Sequence, residues 1–440
     1  MKPLFAKQTV RKGVSAHSAI GLVCCALLYL ICVTGTAIVL FEEIQRLEQP
    51  GAPEMDRIAP QAVDAGIANV VAAEEGATPT THLYVHMPTE ALPRTTITTD
   101  TQAFHIDAQG AIAVPEENAW AEFLLALHYR LNLPAIWGMS LVGLFGAMIV
   151  ALAVSGIVAH PRIFRDAFRL RARRNDEVST LDWHNRLAVW TLPFALAIAL
   201  TGAMIGLFYI SGYSLAAADY DGDSEAAIAP VFGTEPDEDE AAAPLPKVTP
   251  ALDYMTRNYP EVRVSYAILH DPGTRGQHVQ IVGVHGQRLI FGEYYAFGAD
   301  GTFNGTAGLA DGTLGQQIAA SIYNLHFGNF GGLPVKLAYI VFGIALTIVV
   351  STGTFIWLNK QDRKGSPRPS IRASWWGITI GMPLGIAATL AARMTMGNDA
   401  PFVAIFWIVT LAAVAAALMA SRRSTMVKAK PAVPEFAPSP

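Results

Sequence analysis

The chain has 440 residues, of which 52% are hydrophobic and 15% charged, with a mean hydropathy of +0.33 and a net charge of -5. Soluble domains contain fewer apolar and more charged residues, so this composition indicates a membrane protein. The net negative charge gives no basis for nucleic-acid binding, and we expect no nucleic-acid partner.

Six apolar runs are long enough to cross the lipid bilayer, which needs about 20 residues. They predict a polytopic α-helical membrane protein with about six transmembrane helices. Basic residues precede the first run, as in a signal peptide, but no small-x-small cleavage site follows, which predicts a retained helix. The predicted segments are the N-terminus with the first span (1–41), a first long loop (42–134), the second span (135–160), a basic loop (161–186), the third span (187–211), a second long loop (212–332), the fourth span (333–358), a short loop (359–374), a hairpin of the fifth and sixth spans (375–420) and the tail (421–440).

The distribution of charge predicts the orientation of these spans. The N-terminus, the loops 161–186 and 359–374, and the tail are rich in Lys and Arg, so we expect them in the cytoplasm. The two long loops hold most of the 36 acidic residues but under a third of the 31 basic ones, as expected for periplasmic segments. Both termini are therefore predicted to be cytoplasmic.

The first four spans contain an internal repeat of helix, loop and helix. His17 precedes the pair Thr34–Gly35 by the same interval that separates His184 from Thr201–Gly202. Both repeats begin in the cytoplasm, so they are parallel, and a pseudo-two-fold axis should run along the membrane normal. Equivalent residues of the two repeats should therefore face each other across that axis.

A second pair of histidines follows the same repeat. His128 precedes Ser155–Gly156, and His326 precedes Thr352–Gly353, at intervals that differ by one residue. These histidines come just before the second and fourth spans. We expect them near the outer membrane surface.

The two long loops each predict a small α+β unit. A short helix, at Pro60–Ala73 in the first loop and Pro250–Asn258 in the second, precedes strands with alternating apolar residues. The stretch Ala216–Pro246 is rich in Asp, Glu, Ala and Pro and predicts a flexible spacer.

The repeat pairs the histidines at the span ends. Ionisable residues at membrane boundaries are functional candidates, and haem iron takes two axial ligands, often neutral imidazoles. We predict one haem between His17 and His184 near the cytoplasmic face and another between His128 and His326 near the outer face. Cysteines occur only inside the first span and lack the C-x-x-C-H spacing, so both haems would be non-covalent.

His160 has no histidine mate, because the corresponding position is at or near Trp357. It is a candidate substitute ligand paired with His184, or a hydrogen-bonding or interfacial residue. For the four symmetric histidines, a pH-sensitive or interfacial role and ligation of another metal stay open. The histidines of the loops are expected to be ordinary surface residues: His82, His86, His105, His270, His278 and His285.

Other residues near the predicted irons are weaker candidates. Four basic side chains are candidate partners of haem propionates: Lys12, Arg130, Arg186 and Lys336. Four glycines lie in otherwise apolar spans, at positions 35, 156, 202 and 353. Ordinary small-residue helix packing explains each of them better than room for a macrocycle does.

Three stretches of the chain resemble the PepSY-associated transmembrane helix family: SGIVAHPRIFRD at 155–166, LDWHNR at 181–186, and LHFG at 325–328 followed by GGLP at 331–334. The similarity extends over roughly residues 10–360. This family of bacterial inner-membrane proteins includes siderophore-iron reductases. The resemblance implies PepSY-like units in both loops, two b-type haems and single-electron transfer to an extracytoplasmic ferric complex. The spans from Trp375 onward look like an addition, whose role stays open.

The sequence thus favours a haem-dependent transmembrane reductase of a periplasmic ferric chelate or siderophore. No Gly-x-Gly-x-x-Gly follows a strand, so the electron donor is expected to be another molecule, in the cytoplasm or the membrane. The alternative is a non-enzymatic PepSY sensor or peptidase-regulating module, which would be colourless. A transporter is disfavoured because charged residues are missing from mid-membrane positions, and no nucleophile–base pair indicates a hydrolase.

Overall fold

The computed structural model describes residues 6–74, 80–167, 177–233, 236, 239–285, 289 and 292–429. The centre of the predicted basic loop (168–176) and the end of the tail (430–440) lie outside the described residues. The helices are α1 (Lys7–Ile38), α2 (Phe41–Glu48), α3 (Pro60–Ala73), α4 (Ala119–Arg130), α5 (Ala135–Ala159), α6 (Ile163–Asp166), α7 (Glu177–Trp190), α8 (Leu192–Gly206), α9 (Phe208–Asp219), α10 (Ser224–Phe232), α11 (Thr249–Asn258), α12 (Leu314–Phe327), α13 (Gly332–Arg363), α14 (Pro369–Met396) and α15 (Phe402–Ala429).

Five of the described helices are long and apolar enough to cross a membrane, namely α1, α5, α13, α14 and α15. The third predicted span is not one straight helix. Its apolar residues are divided between α7 and α8, which meet at 66° and bring the total to six if they form one broken span. Pro193 explains the break, because it has no backbone N–H and its ring clashes with the preceding helical turn.

The two long loops build one antiparallel sheet. Its strands are β1 (His82–His86), β2 (Thr95–Thr98), β3 (Ala103–Ile106), β4 (Ile112–Pro115), β5 (Val262–His270), β6 (His278–His285), β7 (Glu293–Gly298) and β8 (Phe303–Thr306), in the spatial order β4-β3-β2-β1-β5-β6-β7-β8. Each loop supplies one short helix and four of these strands, and the two α+β units join into one sheet because β1 pairs with β5. Tyr84 lies opposite Ile268 at the middle of that pairing, with His82 opposite His270 and His86 opposite Tyr266.

One hydrophobic core serves both halves of the sheet. Helices α3 and α11 confirm the two predicted short helices, and their apolar faces, represented by Ile67 and Met255, are buried on the same core as Leu83 and Leu269. The core includes residues of both loops, so neither half buries its apolar residues alone. The shared core therefore fixes the two loops relative to each other.

The predicted flexible spacer contains ordered structure. Helix α10 lies inside it and begins where the carboxylate of Asp223 accepts a hydrogen bond from the backbone N–H of Ala226 at 3.0 Å. An aspartate at this position satisfies an otherwise unpaired N–H of the first turn, which favours a helix over a flexible chain. Residues 234–235 and 237–238 of the spacer lie outside the described residues.

The hairpin α14–α15 is attached to the rest of the bundle by buried polar contacts. The hydroxyl of Tyr29 on α1 donates to the carbonyl of Thr379 at 2.8 Å, and the indole N–H of Trp375 donates to the carbonyl of Ser351 on α13 at 3.1 Å. The indole N–H of Trp120 on α4 donates to Thr389 Oγ1 at 3.0 Å. The hairpin is thus held to α1, α4 and α13.

Candidate cofactor site: two histidine pairs

The structure brings together the two pairs of histidines that the repeat predicts. His17 on α1 and His184 on α7 have ring centroids 6.3 Å apart, with their planes at 81°. His128 on α4 and His326 on α12 also have centroids 6.3 Å apart, with planes at 35°. We call these the inner pair and the outer pair.

The Nδ1 atom of each histidine is held by the backbone of a neighbouring helix. The contacts are His17 Nδ1 with Leu152 O at 2.9 Å, His184 Nδ1 with Val349 O at 3.0 Å, His128 Nδ1 with Ile31 O at 3.1 Å, and His326 with the carbonyl of Ile198. A carbonyl only accepts, so Nδ1 must carry the proton and donate it. The lone pair is then on Nε2, which is the tautomer that a metal-ligating histidine needs.

Each imidazole ring packs on three residues of a neighbouring helix, and the three residues have the same spacing in all four cases. A carbonyl at position i, a hydroxyl at i+3 and a glycine at i+4 share one helix face, and we call each such triplet a histidine seat. The seats are Ile31–Thr34–Gly35, Leu152–Ser155–Gly156, Ile198–Thr201–Gly202 and Val349–Thr352–Gly353. The hydroxyl oxygens lie 3.3, 3.3, 2.9 and 3.1 Å from the Nδ1 atoms, in that order.

The seats explain the four glycines that the sequence singled out. A Cβ on Gly35 would lie 2.6 Å from Cε1 of His128, and one on Gly202 would lie 2.9 Å from Cε1 of His326. At Gly156 and Gly353 the corresponding distances to His17 and His184 are 3.3 and 3.4 Å. The prediction of ordinary small-residue helix packing is therefore wrong for these positions, which receive imidazole rings.

The two pairs lie at well-separated levels of the bundle. His17 is on α1, and the seat of His128 is near the other end of the same helix, at Thr34 and Gly35. At 1.5 Å of rise per residue, this interval corresponds to about 26 Å. The pairs therefore belong near opposite ends of the span.

The separation within each pair fits a metal ion held between two axial imidazoles. With metal–nitrogen bonds of about 2 Å and ring nitrogens about 1.2 Å from their centroids, two such rings have centroids about 6 Å apart. Histidines in direct contact are closer, as shown by His270 and His278, whose stacked rings have centroids 4.3 Å apart. No group of three or more His, Cys, Asp or Glu in the described part of the chain has a metal-binding arrangement, but axial ligation needs only two.

A buried cation near the inner pair also fits an anionic cofactor. Arg186, two residues after His184, is 4% exposed, and its Nε and Nη2 atoms have no hydrogen-bond partner. Near the outer pair, Nε of Arg130 is likewise buried without a partner. Leaving such donors unpaired is costly, so both guanidinium groups suit a carboxylate such as a haem propionate.

The other two basic candidates have different surroundings. The ammonium group of Lys336 lies 2.8 Å from Glu43 and 3.4 Å from Glu42. The prediction of Lys336 as a propionate partner is therefore corrected, because α2 brings two carboxylates to it directly after α1. Lys12 is exposed on α1.

His160 lies at the end of α5, where its backbone N–H donates to the carbonyl of Gly156 at 3.1 Å. Gly156 belongs to the seat of His17, so His160 is one turn beyond that seat. Its role as a substitute ligand paired with His184 stays a prediction.

Several loop histidines are structural residues of the sheet. The expectation that they are ordinary surface residues is wrong for His105, His270 and His278, which are 3%, 7% and 8% exposed. His105 bonds to Thr96 Oγ1 at 2.9 Å and to Gln49 Oε1 at 3.0 Å. Burial lowers the pKa of His105 to about 4, so it is neutral at pH 7.

The seats give a test that depends only on space. We expect Gly35→Ala to push His128 out of position and to lower any cofactor content of the outer pair by more than half, because overpacked methyl groups force side chains to move. Gly21→Ala on the same helix is the matched control, since its Cβ would meet only Leu152 Cδ2 at 3.6 Å. The two variants are compared by their cofactor content per chain and by their melting curves. Equal effects of the two substitutions would contradict the seat.

The fold and the site define a polytopic membrane protein with two pairs of opposed histidines beneath a shared sheet. The chain belongs to the PepSY-associated TM region family, whose model matches residues 14–360. This confirms the family that the sequence motifs indicated. The chain is also similar to an uncharacterized protein of Pseudomonas aeruginosa, with 24% identity over 264 residues, which are 57% of this chain and 66% of the relative.

Proposed function

We propose that this chain is a di-haem, b-type oxidoreductase of the bacterial inner membrane. In this role it passes single electrons to a periplasmic ferric acceptor, a ferric siderophore, and releases the iron as Fe(II). The observation that carries the proposal is the equal 6.3 Å separation within two histidine pairs whose Nδ1 atoms are all engaged by neighbouring helices.

The residues of the chain have distinct tasks in this proposal. The four histidines hold the haems, the seats fix the tautomer and orientation of the rings, and Arg186 and Arg130 neutralise the propionates. Bound haem supplies a one-electron Fe(III)/Fe(II) couple at each level of the membrane. The apolar helices exclude water from both sites.

A cluster of tyrosines supports an acceptor site between the sheet and the outer pair. Burial, then the phenols of Tyr323, Tyr84 and Tyr266, raise the pKa of Tyr294 to about 12, and these tyrosines belong to α12, β1, β5 and β7. Tyr323 lies one turn before His326 on α12. A chelate held here would be close to the outer pair, and its reduction would release the iron because Fe(II) binds hard oxygen ligands weakly.

The symmetry of the contacts supports the proposed parallel repeat and its orientation. β1 and β5 pair about Tyr84 and Ile268, and the seats of each repeat follow the same order of helices. With both termini in the cytoplasm, the inner pair is on the cytoplasmic side and the sheet is periplasmic. Electrons would then move outward, in the direction that the membrane potential favours.

The visible spectrum of the purified protein tests this proposal. We expect a Soret band, an α-band after dithionite reduction and two haems per chain. The reduced protein should convert a ferric siderophore into Fe(II) that a ferrous chelator captures. A colourless protein would overturn the proposal and favour the alternative of a non-enzymatic PepSY sensor or peptidase-regulating module.

A further inference from the structure

A cavity of about 500 Å³ lies beside the inner pair, between α7, α13 and α14. Its wall is formed by residues of all three helices, including Thr180, Thr352, Phe355, Asn359, Arg372 and Trp376. The hairpin α14–α15 is needed to form it, because Arg372 and Trp376 are on α14. The cavity thus depends on a part of the chain that lies outside the family match.

The cavity touches the inner pair through one side chain. Thr352 lines the cavity, and its Oγ1 atom lies 3.1 Å from Nδ1 of His184. One hydrogen bond therefore separates the contents of the cavity from a proposed haem ligand. This adjacency points to an electron donor rather than to an unrelated ligand.

The wall combines flat aromatic surfaces with hydrogen-bonding groups. The rings of Phe355 and Trp376 have centroids 4.7 Å apart and are inclined at 47°. The same wall also has polar groups. Asn359 Oδ1 accepts a hydrogen bond from Arg372 Nη2 at 3.0 Å, and Thr180 adds a hydroxyl. Such a wall suits a planar ring that carries hydroxyl or carbonyl oxygens.

The charges and position of the cavity disfavour other donors. Arg372 is the cation in this wall, and its Nη2 atom lies 2.6 Å from Asp362 Oδ2, so it is already neutralised. A nicotinamide or flavin nucleotide needs partners for its phosphates, and the described residues of this wall offer none beyond Arg372. Trp376 and Ile380 are 51% and 52% exposed on a membrane-spanning helix, which gives an apolar tail a route into the lipid.

We propose that this cavity binds a membrane quinol, which donates electrons to the inner pair. This inference rests on the proposed function. The hydroquinone loses two electrons and two protons and becomes a quinone, and the protons pass to cytoplasmic water. Each electron reduces one ferric chelate to the ferrous form, so one quinol serves two acceptors.

Two measurements on the full-length protein in detergent or nanodiscs test the quinol site. An azidoquinone photolabel should attach to peptides of α13 and α14, and an excess of unlabelled quinone should reduce that labelling. Anaerobic mixing with a short-chain quinol should reduce the haem, followed at the α-band. We expect Trp376→Ala to weaken labelling and to slow quinol-driven reduction about tenfold, with an unchanged dithionite-reduced spectrum.

Trp407→Ala is the matched control, because Trp407 lines a different cavity, between α4 and α15. It should leave both readouts unchanged. Labelling that misses α13 and α14, or equal rates for wild type and Trp376→Ala, would overturn the quinol site while leaving the haem proposal standing. A lipid occupant would give that result, since lipid would exclude the label from the cavity and cannot reduce haem. A protein with no haem bands overturns the proposed function and the donor role together, whatever the label does.

Discussion

His128→Ala is expected to halve the haem content, from two haems per chain to one. The substitution removes one of the two proposed axial ligands of the outer pair, and the proposed haem has no covalent attachment that would keep it in place. His17 lies about 26 Å along α1 from the seat of His128, so the inner pair should stay intact and the proposed inner haem should remain reducible by dithionite. The pyridine haemochrome per chain measures the loss, and ferrous-chelator assays should show at least a hundredfold slower siderophore reduction.

Three further variants sharpen this prediction. His326→Ala should give the same loss as His128→Ala, because the two residues form one pair. His105→Ala removes a buried histidine of the sheet and should leave both haems in place. His160→Ala should also leave both haems in place. If His128→Ala kept both haems, the outer pairing would be wrong, and if His160→Ala removed the inner haem, His160 would replace His17 as the ligand.

Among substitutions of residues that do not belong to the outer pair, Glu48→Ala is expected to destabilise that pair most. The Glu48 side chain is 4% exposed, and its carboxylate lies 2.8 Å from Nε of Arg393 on α14. It also accepts hydrogen bonds from the backbone N–H groups of Trp120 and Ala121 at 3.0 and 2.8 Å, which holds the first turn of α4. Because α4 carries His128, this carboxylate connects the hairpin to the outer pair.

Removing the carboxylate would leave the largely buried Arg393 with two backbone carbonyls and the more distant carboxylate of Glu117 at 3.9 Å, so the loss should approach the cost of breaking a buried pair, about 3 to 5 kcal/mol. We expect a lower melting temperature and loss of the outer haem before the inner one in a heating or denaturant series. The double variant Glu48→Ala with Arg393→Met should recover much of the stability, since no buried charge is then unpaired. Arg46→Ala breaks an exposed ion pair with Glu54 and serves as the control, with stability nearly unchanged. Equal melting of Glu48→Ala and wild type would contradict the coupling.

The sequence predicted the histidine pairs because the repeat is visible in the chain itself. His17 and His184 occupy the same position before their spans, and parallel repeats place equivalent residues across one axis. The seats were partly visible too, as a Ser or Thr followed by Gly at fixed intervals. Their purpose was missed, because a pattern of small residues is equally compatible with ordinary helix packing.

Other features depend on contacts between distant parts of the chain. The break between α7 and α8 was marked by Pro193, but an apolar run that contains one proline does not reveal an angle of 66°. The pairing of Lys336 with Glu42 and Glu43 joins residues almost 300 positions apart. Sequence proximity to a predicted iron was therefore a poor guide to which cations are available.

By itself, the sequence predicted the membrane spans, the repeat, the family and the identity of the paired histidines, because hydropathy and periodicity are local properties of the chain. Only the tertiary structure decided that β1 and β5 join the loops into one sheet, that each imidazole lies in a seat on another helix, and that α14 completes a cavity beside His184. These features follow from backbone hydrogen bonds and close packing between segments far apart in sequence, which no local pattern records.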